Sequence, residues 1–223
     1  MNNLTTTAAE DLSPVMTEQR VILHDVSWET YEKLLADLAD QSCIRLAYDR
    51  GTLEIMSPTT KHERYNRTIA LLVEILVEEL GIDVASLGSS TFKRGDLKRG
   101  FEPDSCFYIE NAERIIDKDE LDLTVDPPPD LVIEVDITSG SLPKFPIYGQ
   151  LGVPEIWRYD GRRLYIYQLA GDGYAESKCS VSFSWLTSDA LTDLLEKSKT
   201  LKRTALVRSF REMVRQQAPR NNS

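Results

Sequence analysis

The segment Asp130-Leu131-Val132-Ile133-Glu134-Val135-Asp136 sets three acids into an apolar run. Strand periodicity puts Asp130, Val132, Glu134 and Asp136 on one face and Leu131, Ile133, Val135 and Ile137 on the other. Glu134 therefore sits inside a stretch that otherwise reads as buried. A desolvated carboxylate is costly unless it is paired or bound to a metal. Two carboxylates two residues apart on one face also repel, unless a cation lies between them. Two arrangements meet that demand: a metal centre, or a buried salt bridge to an Arg or Lys.

Other residues gain meaning beside this one. Asp104 ends Phe101-Glu102-Pro103-Asp104 and opens a strand over 105–109, a place where acids commonly serve turns. Lys144 and Tyr148 are four apart and become neighbours if that stretch is helical. Pro143 and Pro146 leave the helix start open, with Lys144 on the helix or on the turn before it. Thr60-Lys61-His62-Glu63 fits a capping box. His62 falls on the apolar stripe of the same helix, as a core histidine does, with a catalytic histidine as the alternative. Lys93, Arg94, Lys98 and Arg99 surround Gly95 and Gly100 just before Asp104. They form either a loop for substrate phosphates or an exposed hairpin with solvated charges.

The elements that position these residues follow from periodicity. Trp28, Tyr31, Leu34, Leu35 and Leu38 predict a helix over 27–39. Strands at 44–48 and 53–56 flank Asp49-Arg50-Gly51-Thr52, which predicts a hairpin. Ile69, Leu72, Val73, Leu76 and Leu80 make one stripe of a helix over 60–80, closed by Gly81. Short strands are expected at 84–87, 91–93 and 105–109, then the strand 130–137 and a helix over 146–151. Strands at 155–159, 164–169 and 174–181 precede a helical remainder. This order gives an α/β fold, a mixed central sheet with helices packed on its faces.

Taken together, an Asp, a Glu in a buried strand about 30 residues later and a Lys close behind resemble the PD-(D/E)XK nuclease superfamily. The fuller pattern resembles its Uma branch, a family of restriction-endonuclease type. It is carried by Gly51-Thr52-Leu53-Glu54-Ile55-Met56-Ser57-Pro58, His62-Glu63, Pro103-Asp104, Pro129-Asp130-Leu131-Val132-Ile133-Glu134-Val135 and Tyr148-Gly149-Gln150-Leu151-Gly152-Val153-Pro154-Glu155-Ile156-Trp157. The resemblance implies a restriction-endonuclease-like core and a Mg²⁺-dependent endonuclease acting on DNA, with Mn²⁺ as a substitute ion. Asp104 and Glu134 would hold the metal through oxygens, the ligands this hard cation prefers. Lys144 would orient the attacking water or stabilise charge on the phosphate. The superfamily Lys lies two residues after the Glu, where this chain has Asp136; Lys144 lies ten after it. Asp136 is then an additional ligand or the neutraliser of Lys144. Related nucleases bring an acid from the first core helix to the metal, which makes Glu63 a fifth candidate. A homodimer, with two sites addressing two strands, fits this reading. Replacing Asp104 and Glu134 by Ala is expected to abolish cleavage and leave the fold intact.

Composition sets the bounds. The chain has 223 residues, 41% hydrophobic and 28% charged, which suits one domain with a real core. No apolar run is long enough to span a membrane. Met1 to Pro14 is polar and Thr-rich, without the basic flank and apolar stretch of a signal peptide, and 1–18 is read as a flexible leader. Residues 19–223 are read as one domain with a basic, helical C-terminal tail. Cys43, Cys106 and Cys179 form no metal pattern, and a reducing cytoplasm fits them. Net charge is −10. Eight basic residues against Glu212 make Lys197–Ser223 +7, leaving −17 for residues 1–196. Such a tail either contacts phosphates or forms a solvated helix face. Two rivals to the enzyme remain: a nuclease-fold protein that binds nucleic acid without turnover, and a domain whose acids only satisfy internal ion pairs.

Overall fold

The computed structural model describes residues 19–39, 41, 43–137 and 142–218. The leader expected over 1–18 and Arg220 of the basic tail lie outside them. The chain opens with β1 (Gln19–Leu23), α1 (Trp28–Asp37), β2 (Arg45–Asp49) and β3 (Thr52–Ser57). Then come α2 (Thr60–Leu80), β4 (Ala85–Ser86), β5 (Phe92–Arg94), β6 (Arg99–Phe101), β7 (Ser105–Tyr108) and α3 (Ala112–Ile115). The second half runs β8 (Leu131–Val135), α4 (Phe145–Leu151), β9 (Glu155–Tyr159), β10 (Leu164–Ala170), β11 (Gly173–Ser177), α5 (Ser188–Ser198) and α6 (Arg203–Gln217).

The expected mixed sheet has six strands in the order β11-β10-β9-β8-β7-β4. Among the described residues only β8 and β9 pair in parallel, and α4 lies in the crossover between them. A second sheet joins it, five strands in the order β1-β3-β2-β6-β5. β1 and β6 are its unexpected members. The chain passes from one sheet to the other through Glu102-Pro103-Asp104, so Asp104 stands at the junction.

Local chemistry sets the boundaries. Asp49 faces Thr52 across the β2–β3 hairpin, leaving Arg50 and Gly51 as a two-residue turn, both with positive φ. Turns of this primed kind match strand twist and favour glycine. Thr59 caps α2, its hydroxyl accepting from the His62 amide, and Gly81 closes the helix at φ 64°. The capping box does not form, because Glu63 lies one position beyond the residue whose amide is capped.

The core lies on both faces of the six-stranded sheet. One face packs Ile69, Leu72 and Leu76 of α2 against Leu131, Ile133 and Trp157, with α5 and α6 completing the layer. The other packs Val132 and Ile156 under Ile147, Tyr148 and Leu151 of α4. The alternation expected along β8 is what separates these layers. It leaves Glu134 on the α4 side.

A third cluster joins α1 to the smaller sheet through Trp28, Tyr31, Leu46, Tyr48 and Leu53, with Tyr31 stacked on Tyr48 at 4.9 Å. Gly100 of β6 lies directly under the Tyr31 ring, with no room for a β-carbon. Tyr31 is fully buried and cannot step aside. Gly100→Ala is therefore expected to lose about 1–3 kcal/mol. Chemical denaturation checks this; unchanged stability would show that the ring yields.

Candidate active site

Asp104 leaves the inter-sheet junction with its side chain fully buried. One carboxylate oxygen accepts from Arg45 Nε at 3.2 Å. The other accepts from the Val135 amide at 2.7 Å and lies 3.1 Å from His62 Nε2. Asp104 is thus bonded to the amide that directly follows Glu134. Burial alone would push its carboxyl up, but the His62 hydrogen bond and charge, Lys144 and the Val135 amide outweigh it. They hold Asp104 below its ordinary range.

Glu134 comes from β8 on the α4 side, with 9% of its side chain exposed. Lys144 Nζ donates to one oxygen at 2.9 Å, and the Tyr148 hydroxyl donates a short bond to the other. Lys144 occupies the N-cap of α4, on the turn just before the helix, and its carbonyl accepts from the Tyr148 amide at 3.0 Å. Helical spacing of four thus brings both side chains to one carboxylate. Burial is the main cause that raises the Glu134 carboxyl; Lys144 opposes it and Asp104 adds to it. Burial acts to lower the Lys144 ammonium, but Glu134, Asp104 and Glu54 hold it above its ordinary value.

These directions have a consequence for stability. An acid whose pKa is raised by folding stabilises the fold below its unfolded value, about 4.3, and that stability is lost as pH rises through the folded value. By this direction ionised Glu134 opposes folding at neutral pH, whereas the Lys144 ammonium, raised by the same pairing, favours it. Glu134→Gln is expected to raise the thermal midpoint in EDTA, with Lys144 still facing Asp104 and Glu54. A lower midpoint would mean that the Lys144–Glu134 pair is a net structural prop.

The remaining candidates separate. Glu63 reaches Arg45 at 2.7 Å and Arg67 at 3.8 Å, so it touches the site through Arg45, the partner of Asp104. Asp136 does not neutralise Lys144, which Glu134 takes. Its carboxylate accepts from Arg158 Nη2 at 2.7 Å and lies 4.0 Å from Arg20 Nη2. Arg45, Arg158 and Arg20 did not emerge as site residues from the sequence, and Tyr148 emerged only as a helical neighbour of Lys144. Arg45 carried a signal: it is a charge opening a strand whose next three residues, Leu46, Ala47 and Tyr48, are buried. Beside Glu134 opens a cavity of about 260 Å³, bordered by Lys144, Tyr148, Asp136, Arg158, Arg20 and Met56 among others.

Two buried acids, one reached through the amide after the other, thus converge with a lysine at the rim of a cavity. A family model described as "Putative restriction endonuclease", Uma2, matches residues 28–198. The chain belongs to the Uma2 family. The matched span holds Arg45, Glu63, Asp104, Glu134, Lys144 and Arg158. A crystal structure of an Anabaena variabilis protein, described as a "putative nuclease", is 18% identical. It covers 66% of this chain and 89% of its own, with a TM-score of 0.46. Among curated proteins none matches.

In two basic features of this Uma2 chain several charges are paired internally. In the β5–β6 hairpin Lys93 pairs with Glu32, Arg94 with Asp96 and Arg99 with Asp49, while Lys98 lies over the Trp28 ring. A phosphate reaching this hairpin would meet charges that already have partners. In the tail, α6 buries Leu206, Phe210 and Val214 in the core. Arg211 bonds Glu78 and Glu79 of α2, and Arg215 bonds Glu79. No helix among the described residues is long and apolar enough to cross a membrane.

Proposed function

We propose that this Uma2 chain is a metal-dependent endonuclease that hydrolyses DNA phosphodiester bonds, with Asp104 and Glu134 as its metal-binding carboxylates. The observation that carries the reading is the convergence on Glu134. Lys144, ten residues downstream, reaches its carboxylate at 2.9 Å beside a cavity, and Asp104 is bonded to the next amide.

The donor set suits Mg²⁺ or Mn²⁺. Among the described residues no three or more His, Cys, Asp or Glu side chains are arranged to hold a metal ion. Two carboxylates are the set that Mg²⁺ takes when waters and substrate phosphate complete its shell. The ion supplies a bound water of lowered pKa and neutralises charge growing on the phosphate. Lys144 swings between Glu134 and the phosphate oxygens, stabilising the same charge. Tyr148 holds the second Glu134 oxygen in place. Arg45 and His62 fix Asp104, and Glu63 steadies Arg45. Each chain carries one such site, so cutting both strands takes a homodimer or two encounters.

A second reading has its own support: every carboxylate oxygen of the pair already has a partner within the chain. A nuclease-fold protein that binds nucleic acid without turnover would look like this. Labelled DNA incubated with Mg²⁺ or with EDTA discriminates the two. Metal-dependent shortening is expected; binding without shortening in Mg²⁺ and Mn²⁺ would favour the second.

A further inference from the structure

The Gly51–Pro58 block that carries part of the family resemblance contains one acid the metal site does not use. Glu54 lies in the middle of β3, and its side chain is 1% exposed. Strand alternation sets Leu53 and Ile55 on one face, toward α1. It sets Glu54 and Met56 on the other, toward the cavity that Lys144 borders. A carboxylate so deeply buried is costly unless its charge is met. One oxygen of Glu54 is met twice, by the Leu142 amide at 2.7 Å and by Arg20 Nη1 at 3.3 Å. The shorter bond spans 88 positions of sequence and ties the smaller sheet to the crossover that carries Lys144.

Leu142 is two residues before Lys144, and Pro143 between them has φ fixed by its ring. After Lys144 the chain is already helical, its carbonyl accepting from the Ile147 and Tyr148 amides. The backbone of Lys144 is therefore held on both sides, by Glu54 before it and by the first turn of α4 after it. A lysine on β8 itself would inherit its place from the sheet. Lys144 lies ten residues from Glu134, outside that strand, and its flexible four-carbon stem adds rotamers to fix. The Glu54 charge is also felt at the Lys144 ammonium, which puts the two groups close together.

We propose that Glu54 is the positioning residue of Lys144: by holding the Leu142 amide it sets where the chain enters α4, and so where the ammonium stands against Glu134. The proposal rests on the nuclease reading for what Lys144 then does, but the placement is measurable without cleavage. It makes the length of this side chain matter more than its charge. Gln keeps the reach and an accepting oxygen, whereas Asp keeps the charge and stops one methylene short.

The test is reductive methylation in EDTA, read at Lys144 by mass spectrometry, for wild type, Glu54→Gln and Glu54→Asp. Wild type and Glu54→Gln are expected to label Lys144 alike and slowly. Glu54→Asp should label it about tenfold faster, as when one charge-assisted hydrogen bond is lost. If Glu54 serves only its ion pair with Arg20, the order reverses, with Asp protected and Gln labelled fast, and the proposal falls. Equal labelling in all three also overturns it. Thermal midpoints establish that the variants fold. In wild type the Leu142 amide should exchange its hydrogen about 10²-fold slower than in an open chain. An unprotected amide there sinks the proposal whether or not Glu54→Asp folds. Cleavage in Mg²⁺ is read separately. Glu54→Asp should lower kcat about 10²-fold with KM nearly unchanged, and have no further effect in a Lys144→Met background. A further loss in that background makes Glu54 a plain structural tie. Labelling as expected without cleavage by wild type keeps the placement and removes the nuclease; equal labelling with metal-dependent cleavage does the reverse.

Discussion

Asp104→Ala is expected to cost about 3–5 kcal/mol of folding stability, the loss that follows when one partner of a buried ion pair is removed. The carboxylate satisfies Arg45 Nε, His62 Nε2 and the Val135 amide at 2.7–3.2 Å, all out of water. Arg45 keeps Glu63, which is one-third exposed, but the buried Val135 amide loses its acceptor. The pH dependence has a definite sign. Asp104 is held below its ordinary value, so its contribution is present above about pH 4 and lost as pH falls through the folded value. Urea denaturation of wild type and variant at neutral pH measures the loss; a difference under 1 kcal/mol would show the pocket rearranging around water. The sequence led to the opposite expectation, that the fold would survive intact. An Asp before a strand reads as a turn residue, and only the inter-sheet junction reveals what surrounds it.

Lys144→Met should lower turnover about 10²–10³-fold, the effect of deleting one preorganised group that stabilises developing charge. It should also tighten metal binding. The ammonium occupies a Glu134 oxygen at 2.9 Å, and removing it leaves Glu134 facing Asp104 with no cation between them. Calorimetric titration with Mn²⁺ beside cleavage kinetics separates these effects. Weaker metal binding in parallel with lost activity would make Lys144 a structural support of Glu134. Wild-type turnover would remove it from the chemistry.

What was legible in the sequence is local or periodic. The Glu134 strand, the Arg50-Gly51 turn, the α2 stripe and its Gly81 stop are each dictated by a few neighbouring residues. The approach of Lys144 to Glu134 was expected from the family resemblance alone, since by itself Lys144 reads as a surface lysine. What was not legible depends on partners far along the chain. β1 exposes Val21, Ile22 and Leu23 and has no alternation of its own; pairing with β3 makes it a strand. β6 is three residues long with Gly100 at its centre, and β2 and β5 hold it from either side. Arg20 and Arg158 are ordinary charges until β1 and β9 bring both to Asp136. The basic tail is a similar case, since a net charge count does not show that Glu78 and Glu79 receive Arg211 and Arg215.

The most direct measurement is conversion of supercoiled plasmid by purified wild type and Glu134→Gln, each with Mg²⁺, Mn²⁺ or EDTA. Glu134→Gln keeps the shape of the site, and its thermal midpoint in EDTA establishes whether it folds, which separates lost activity from misfolding. Nicking or linearisation by wild type that requires metal, and that falls at least ~10³-fold in the variant as expected for a group holding the catalytic ion, is the predicted result. Metal-independent cleavage, or equal cleavage by the variant, would contradict a metal centre at Glu134.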